Sequence, residues 1–349
     1  MAGMSVHSSQ NTRLSQPYTL PESPQAQPQA RVGATRRSAG VLSIGALAVA
    51  ALGAAAVFNH RRAVQAERAH PPVGRFLNVN GVRLHYLERG AGTPVVLLHG
   101  NGGMIQDFLS SGLVDEAARR HRVIVFDRPG YGYSERPRGK LWTPDAQADL
   151  LAAALRQIGV SRAVVLGHSW ASAVAVALAH RHPSLVGGLV LEAGYFYPSA
   201  RLDLILFSVP AIPVLGDVLR RTVSPPLGRL AWPFLIRKIF SPAPEPETFR
   251  AFPREMALRP LHMRASAEES ALMVLSAVGA RNRYAKLRVP VAIIAGEEDS
   301  MVDAHYQSAR LHQGIPQSSF TCLPGTGHIP HHTAMPAVLA AIESIAQAS

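Results

Sequence analysis

The chain has 349 residues, 47% of them hydrophobic, one cysteine and a formal net charge of +12. That length suits one large α/β domain with an insertion, or two domains, and the apolar share is enough for a substantial core. The lone cysteine, Cys322, excludes an intrachain disulfide and a cysteine-based metal cluster.

The charge is uneven. Residues 1–75 hold eight Arg against two acids, residues 197–287 hold thirteen Lys/Arg against seven acids, and the remainder carries fourteen of each sign. No nucleic-acid motif and no basic patch interleaved with aromatics goes with this charge, so nucleic acid is not expected as a partner. An anionic lipid surface fits the two basic segments better.

In chain order, residues 1–38 come first. They are rich in Ser, Gln and Pro ("QPYTLPESPQAQPQA") and are predicted to be a disordered leader. Residues 39–58, "AGVLSIGALAVAALGAAAVF", carry no charge. At about 1.5 Å per residue they would span roughly 30 Å, the hydrocarbon thickness of a bilayer. Arg36-Arg37 and Arg61-Arg62 flank them. The run is longer than a secretory signal core of about 7–15 residues. It is therefore predicted to be a single transmembrane anchor, placing the protein at a membrane. Arginines on both sides leave the orientation open.

From residue 75 the pattern changes. "RFLNVNGVRLHYLERG" alternates around Asn80-Gly81, which predicts a hairpin with a type I′ turn. Short apolar runs follow at 95–98, 122–126, 163–166, 187–192, 290–295 and 318–323, separated by helical stretches. The clearest helix is 144–158, with Thr143 as N-cap, Pro144 at the first position and Gly159 as the stop. This alternation predicts an α/β fold with a mostly parallel, doubly wound sheet, formed by residues 75–196 and 288–349. Residues 197–287 break the alternation. They are helical in pattern, Pro-rich and partly strongly apolar, and read as an inserted helical lid.

Five motifs lie at carboxyl ends of predicted strands, where ligands bind on such sheets. They are "HGNGG" (99–103), "DRPGYGYS" (127–134), "GHSWA" (167–171), "GEEDSMVD" (296–303) and "GTGHIPHH" (325–332). Together, over about 75–349, they resemble the α/β-hydrolase superfamily, in its capped branch with haloalkane dehalogenases, epoxide hydrolases and related serine esterases. The resemblance implies a triad in the chain order Ser, acid, His, here Ser169, Asp299 and His328. It also implies an oxyanion site made by the main-chain N–H groups of Trp170 and Asn101.

The chemistry of these residue types agrees. A serine hydroxyl needs an adjacent base, a histidine can shuttle the proton, and a carboxylate can orient and stabilise the imidazolium. Glu297, Glu298 and Asp303 lie near Asp299, and Glu192 also ends a strand, so the acid has competitors. His99 is expected to support its loop. His331 and His332, in an H-x-x-H-H run with His328, lack the H-E-x-x-H spacing and are expected to brace their loop. No metal and no cofactor are expected.

The haloalkane dehalogenases and epoxide hydrolases use Asp where this chain has Ser169. A carboxylate displaces at carbon to form an alkyl ester; a serine does so poorly, which favours acyl transfer. The expectation is hydrolysis of a carboxylic ester, with a small-molecule, hydrophobic acyl substrate under a lid that is basic enough to meet a membrane. Amide, lactone or C–C bond hydrolysis and perhydrolysis remain open on the same triad. So does a non-catalytic ligand-binding receptor. The elbow also departs from G-x-S-x-G, with Ala171 at its last position.

Overall fold

The computed structural model describes residues 33–349, with side chains from Gly45 onward. The described residues divide into two units, 33–49 and 50–349. Residues 1–32 of the predicted leader lie outside the described residues. Helix α1 (Gly33–Ala69) contains the predicted span at 39–58, begins before it and runs past it. It continues because nothing from Asn59 to Ala69 breaks a helix, and it stops before Pro71-Pro72. Residues 39–44 of the span lack described side chains. Among the described residues, no single helix is long and apolar enough to cross a membrane.

Within the second unit the sheet has eight strands: β1 (Arg75–Val79), β2 (Val82–Arg89), β3 (Thr93–Leu98), β4 (His121–Phe126), β5 (Ala163–His168), β6 (Val186–Glu192), β7 (Val291–Gly296) and β8 (Ser318–Leu323). Their order is β1-β2-β4-β3-β5-β6-β7-β8. β1 and β2 form the predicted hairpin, with φ of 50° at Asn80 and 77° at Gly81, the paired positive values of a type I′ turn. β2 pairs antiparallel with β4, and all later pairings are parallel.

The parallel strands are apolar on both faces because both faces are covered. Val96, Leu98, Ile124 and Val165 face one core with helices α2 (Pro144–Gln157) and α3 (Ala171–Arg181). Val95, Leu97, Val123 and Val164 face the other, against the helices at 105–117 and the final helix at 335–347. The predicted cap is in place: Thr143 Oγ1 accepts from the Ala146 N–H at 3.1 Å. Strand order reverses between β3 and β5, which puts the loops after these two strands side by side at the switch point.

Between β6 and β7 the chain is helical, in the region expected to form a lid. Its longer helices are α4 (Leu202–Ser208), α5 (Leu215–Arg221), α6 (Ser224–Phe240) and α7 (Pro260–Ala280). The carboxyl-terminal half of α1 packs on them. Buried Asn59 donates to the main-chain oxygens of Arg221 and Thr222 at 3.0 and 2.8 Å, and Arg259 reaches Glu67 at 2.7 Å.

Candidate active site

Ser169 sits where β5 turns into α3. Its φ is +53°, a left-handed conformation that an L side chain adopts only under constraint. The constraint is the elbow itself. The Ser169 N–H donates to the Glu192 main-chain oxygen at 2.8 Å, and Ser172 Oγ donates to the Gly167 oxygen at 2.7 Å. A Cβ on Gly167 would lie 2.6 Å from the Ala171 oxygen and 2.9 Å from the Ser172 Cα, so only glycine fits there. Ala171, at the position of the missing second glycine, is fully buried at the start of α3.

The strand ends bring three predicted residues together. His328 Nε2 is 2.9 Å from Ser169 Oγ, and His328 Nδ1 is 2.7 Å from Asp299 Oδ2. Asp299 Oδ1 accepts from the main-chain N–H groups of Met301 and Val302 at 2.8 and 3.0 Å. That pair fixes the carboxylate, so its second oxygen stays aimed at the imidazole. Three of the competing acids are engaged elsewhere. Glu298 accepts from the Thr326 N–H, Asp303 from the Tyr306 N–H, and Glu192 from His331. The arrangement can pass a proton from a serine hydroxyl to an imidazole and hold the resulting cation.

The loop after β3 comes close to the elbow. A Cβ on Gly100 would meet His168 Nδ1 at 2.9 Å and Ser169 Cβ at 3.1 Å. Neither the Asn101 nor the Trp170 main-chain N–H takes part in a hydrogen bond among the described residues, so both are free to serve a ligand. The Asn101 side chain is not free. It donates to the Ser266 main-chain oxygen and to Ser270 Oγ, each at 3.2 Å, and accepts from Ser266 Oγ at 2.6 Å. The buried Trp170 indole N–H has no partner among the described residues.

His99 supports its loop, as expected. Its Nε2 accepts from the Arg128 N–H at 3.1 Å, and burial with the nearby Arg128 charge lowers its pKa to about 3. A neutral, fully buried imidazole of this kind is not a second base.

Three groups of residues escaped the sequence reading. The first is Arg128, whose motif was visible but whose partner was not. Its five guanidinium N–H groups go to His99 O, Gly100 O, Gln147 Oε1 and both oxygens of Glu269 on α7. Tyr131 also donates to Glu269 at 2.6 Å. The second is the pair Asp107 and Glu192, which clasp His331. Burial opposes charge there, but the two carboxylates outweigh it and raise the His331 pKa to about 10. The third is His168, whose Nε2 is 2.9 Å from the His328 main-chain oxygen. Burial lowers its pKa to about 4, so the ring is neutral and donates to that carbonyl. His331 and His332 thus brace the histidine loop, as expected. Asp107, His168 and His331 bring potential metal-ligand atoms within 4.8 Å of one another.

Known proteins carry the same frame. The family described as alpha/beta hydrolase fold matches residues 93–334. A 2-hydroxymuconate semialdehyde hydrolase of Pseudomonas sp. (strain CF600) is 35% identical over 138 residues, 39% of this chain and 49% of its own. Haloalkane dehalogenase 2 of Mycobacterium tuberculosis is 30% identical over 154 residues, 44% of this chain and 53% of its own. The chain thus spans about half the length of the curated relatives it matches. Among solved structures, an esterase from Thermogutta terrifontis superposes with a TM-score of 0.62 at 23% identity, covering 79% of this chain and 99% of that one. The family match takes in the whole parallel part of the sheet, from β3 through β8, together with the loops that meet at Ser169. This chain belongs to the α/β-hydrolase family.

Proposed function

We propose that the protein is a serine hydrolase that cleaves a carboxylic ester of hydrophobic character through an acyl-enzyme. The observation that carries the reading is the continuous relay Ser169–His328–Asp299, with contacts of 2.9 and 2.7 Å. Ser169 Oγ attacks the ester carbonyl carbon while His328 Nε2 takes its proton. The oxyanion that forms is received by the free N–H groups of Asn101 and Trp170. The C–O bond to the alcohol then breaks, and His328 returns the proton to the leaving oxygen. Water attacks the acyl-enzyme with His328 again as base, releasing the carboxylic acid and restoring Ser169. Asp299 holds the imidazole tautomer throughout.

The reading treats α4–α7 as a lid. Its support is that Ser266 and Ser270 of α7 hold the Asn101 side chain, and that Ser169 is only 9% exposed. The relatives include a semialdehyde hydrolase, a dehalogenase and an esterase. The choice among them rests on the nucleophile, since a serine suits acyl transfer and displaces poorly at an alkyl carbon.

The test is labelling with a fluorophosphonate probe together with turnover of p-nitrophenyl esters of graded chain length. Labelling and turnover, both abolished in Ser169→Ala with an unchanged circular dichroism spectrum, support the reading. An unlabelled wild-type chain would assign the fold to ligand binding without catalysis. Labelling with turnover of amides, lactones or β-diketones but not esters would move the activity to those bonds.

A further inference from the structure

The helices between β6 and β7 carry a feature that the triad does not use. From Leu202 to Leu235, every exposed residue except Arg221 is apolar. Leu206, Leu230, Phe234 and Val214 are among the most open, at 71%, 72%, 73% and 77% exposed. The elements pack in series: α4 and α5 both contact the short turn at 209–211, and α5 contacts α6. Soluble monomers rarely leave a contiguous apolar face of this extent in water.

From Leu202 to Phe240 the exposed charges have one sign. The two acids of this stretch are neutralised in place. Asp203 takes two hydrogen bonds from Arg201 at 2.8 and 2.7 Å, and Asp217 takes a fork from Arg138 together with Arg220. The exposed charges that remain are Arg221 beside the face and Arg237 and Lys238 at the end of α6. A second copy of the chain would bring two such cationic faces together, at a net charge of +12 each, which disfavours self-association. The shape argues in the same direction. The stretches Leu202–Ala211 and Leu215–Arg221 together are as apolar as a membrane span, yet they meet at 92°. That bend makes a wedge with its apolar surface outward, as in helices that lie in the bilayer interface.

We infer that this face docks onto an anionic lipid bilayer, with Leu206, Val214, Leu230 and Phe234 entering the headgroup–acyl boundary and Arg221, Arg237 and Lys238 meeting lipid phosphates. The docked helix reaches the catalytic loops directly. At the end of α6 the Ile239 oxygen accepts from the His328 N–H at 2.8 Å, and the Lys238 oxygen accepts from Ser300 Oγ at 2.8 Å, next to Asp299. Resting on the hydrolase reading, this deepens it: the substrate class is an ester dissolved in the bilayer.

The experiment uses the full chain with Cys322→Ser and Leu230→Cys, the new thiol carrying an environment-sensitive fluorophore. The chain is mixed with vesicles of phosphatidylglycerol and phosphatidylcholine, or of phosphatidylcholine alone. With the anionic vesicles the emission shifts to shorter wavelength and is quenched by lipids brominated on the acyl chain, and high salt reduces both effects. Phe234→Asp with Leu206→Asp abolishes the shift while turnover of a short soluble ester is retained. If the chain floats with vesicles but the label still reports water, an anchor elsewhere holds it and the inference is overturned. It is equally overturned if the label is already shielded in buffer, by a second copy or another segment. Label position is read whether or not Ser169 reacts, and soluble-ester turnover is read whether or not the face docks, so the two readings fail separately.

Discussion

Arg128 and Glu269 meet as a fully buried ion pair, with contacts of 2.5 and 3.0 Å, and they join the loop after β4 to helix α7. The guanidinium also holds the His99 and Gly100 carbonyls, so the inserted helix and the loop presenting Asn101 share one anchor. Burial works against the Arg128 charge, but Glu269 outweighs it and raises the pKa. Lysine cannot reproduce this fork, since it has three donors at one point against five in a plane. Arg128→Lys is therefore expected to lower kcat by about 100-fold with a smaller change in KM, because the Asn101 N–H shifts from its position. Glu269→Gln leaves a buried cation unpaired and is expected to cost roughly 3–5 kcal/mol in urea unfolding. Wild-type kcat in Arg128→Lys would show that the loop holds its shape without the fork.

The acid of the triad is distinguishable from its neighbour by kinetics. Asp299→Asn is expected to lower kcat by about 10⁴-fold with the fold intact, because the imidazole loses its oriented tautomer. Glu192→Gln acts on His331 and leaves the Ser169 N–H bond to the Glu192 main-chain oxygen in place. It is expected to lower the unfolding temperature while fluorophosphonate labelling of the folded protein persists. The reverse pattern would exchange the roles of the two acids.

The two small positions of the elbow are not equivalent. Gly167→Ala drives a methyl into the Ala171 carbonyl and is expected to abolish labelling of Ser169 and to destabilise the fold by about 1–3 kcal/mol. Ala171→Gly removes one buried methyl at the start of α3. It is expected to keep labelling and to cost no more than about 1 kcal/mol, from helix propensity alone. A gain in labelling rate for Ala171→Gly would mean that the methyl strains the turn.

The clasped His331 makes stability depend on pH. Its folded pKa is raised to about 10 from an ordinary value of 6.5, so its contribution is full below about 6.5 and is lost as pH rises through 10. Asp107 and Glu192 are shifted the other way, downward against the cost of burial by their contacts with His331. Their contribution is present above the ordinary carboxylate range and is lost as pH falls through their depressed values. Unfolding temperature is therefore expected to be highest at pH 5–6, with a steady alkaline decline that His331→Gln flattens. An unchanged alkaline slope in that variant would place the titrating group elsewhere.

How far the site was legible varied with the kind of residue. Ser169, Asp299 and His328 each follow a strand, and parallel strands deliver their carboxyl ends to one edge; the resemblance singled these three out, and His328 lies 2.9 Å from Ser169 and 2.7 Å from Asp299. The resemblance singled out Asp299, and the contacts add that Glu192, Glu298 and Asp303, which also stand near strand ends, are spent elsewhere. Glu269 was invisible. It lies 141 residues from Arg128, in a helix whose local pattern marks it as one more solvent-facing acid. The same holds for the partners of the Asn101 side chain, Ser266 and Ser270 of α7.

What the sequence by itself determined was everything with a local or periodic cause. This covers the I′ hairpin at Asn80-Gly81, the capped helix after Thr143, the doubly covered strands, and the serine at the turn after β5. What only the tertiary structure decided was how charge is shared out inside. It decided that Arg128 closes on Glu269, that Asp107 and Glu192 close on His331, and that α1 runs on past residue 58 to pack against α5 and α6. The physical reason is range. Backbone preference and hydrophobic period act over a few neighbouring residues and are written in the chain. The pairing of a buried charge is set by whichever opposite charge packing brings within a few ångströms, and sequence distance does not encode that.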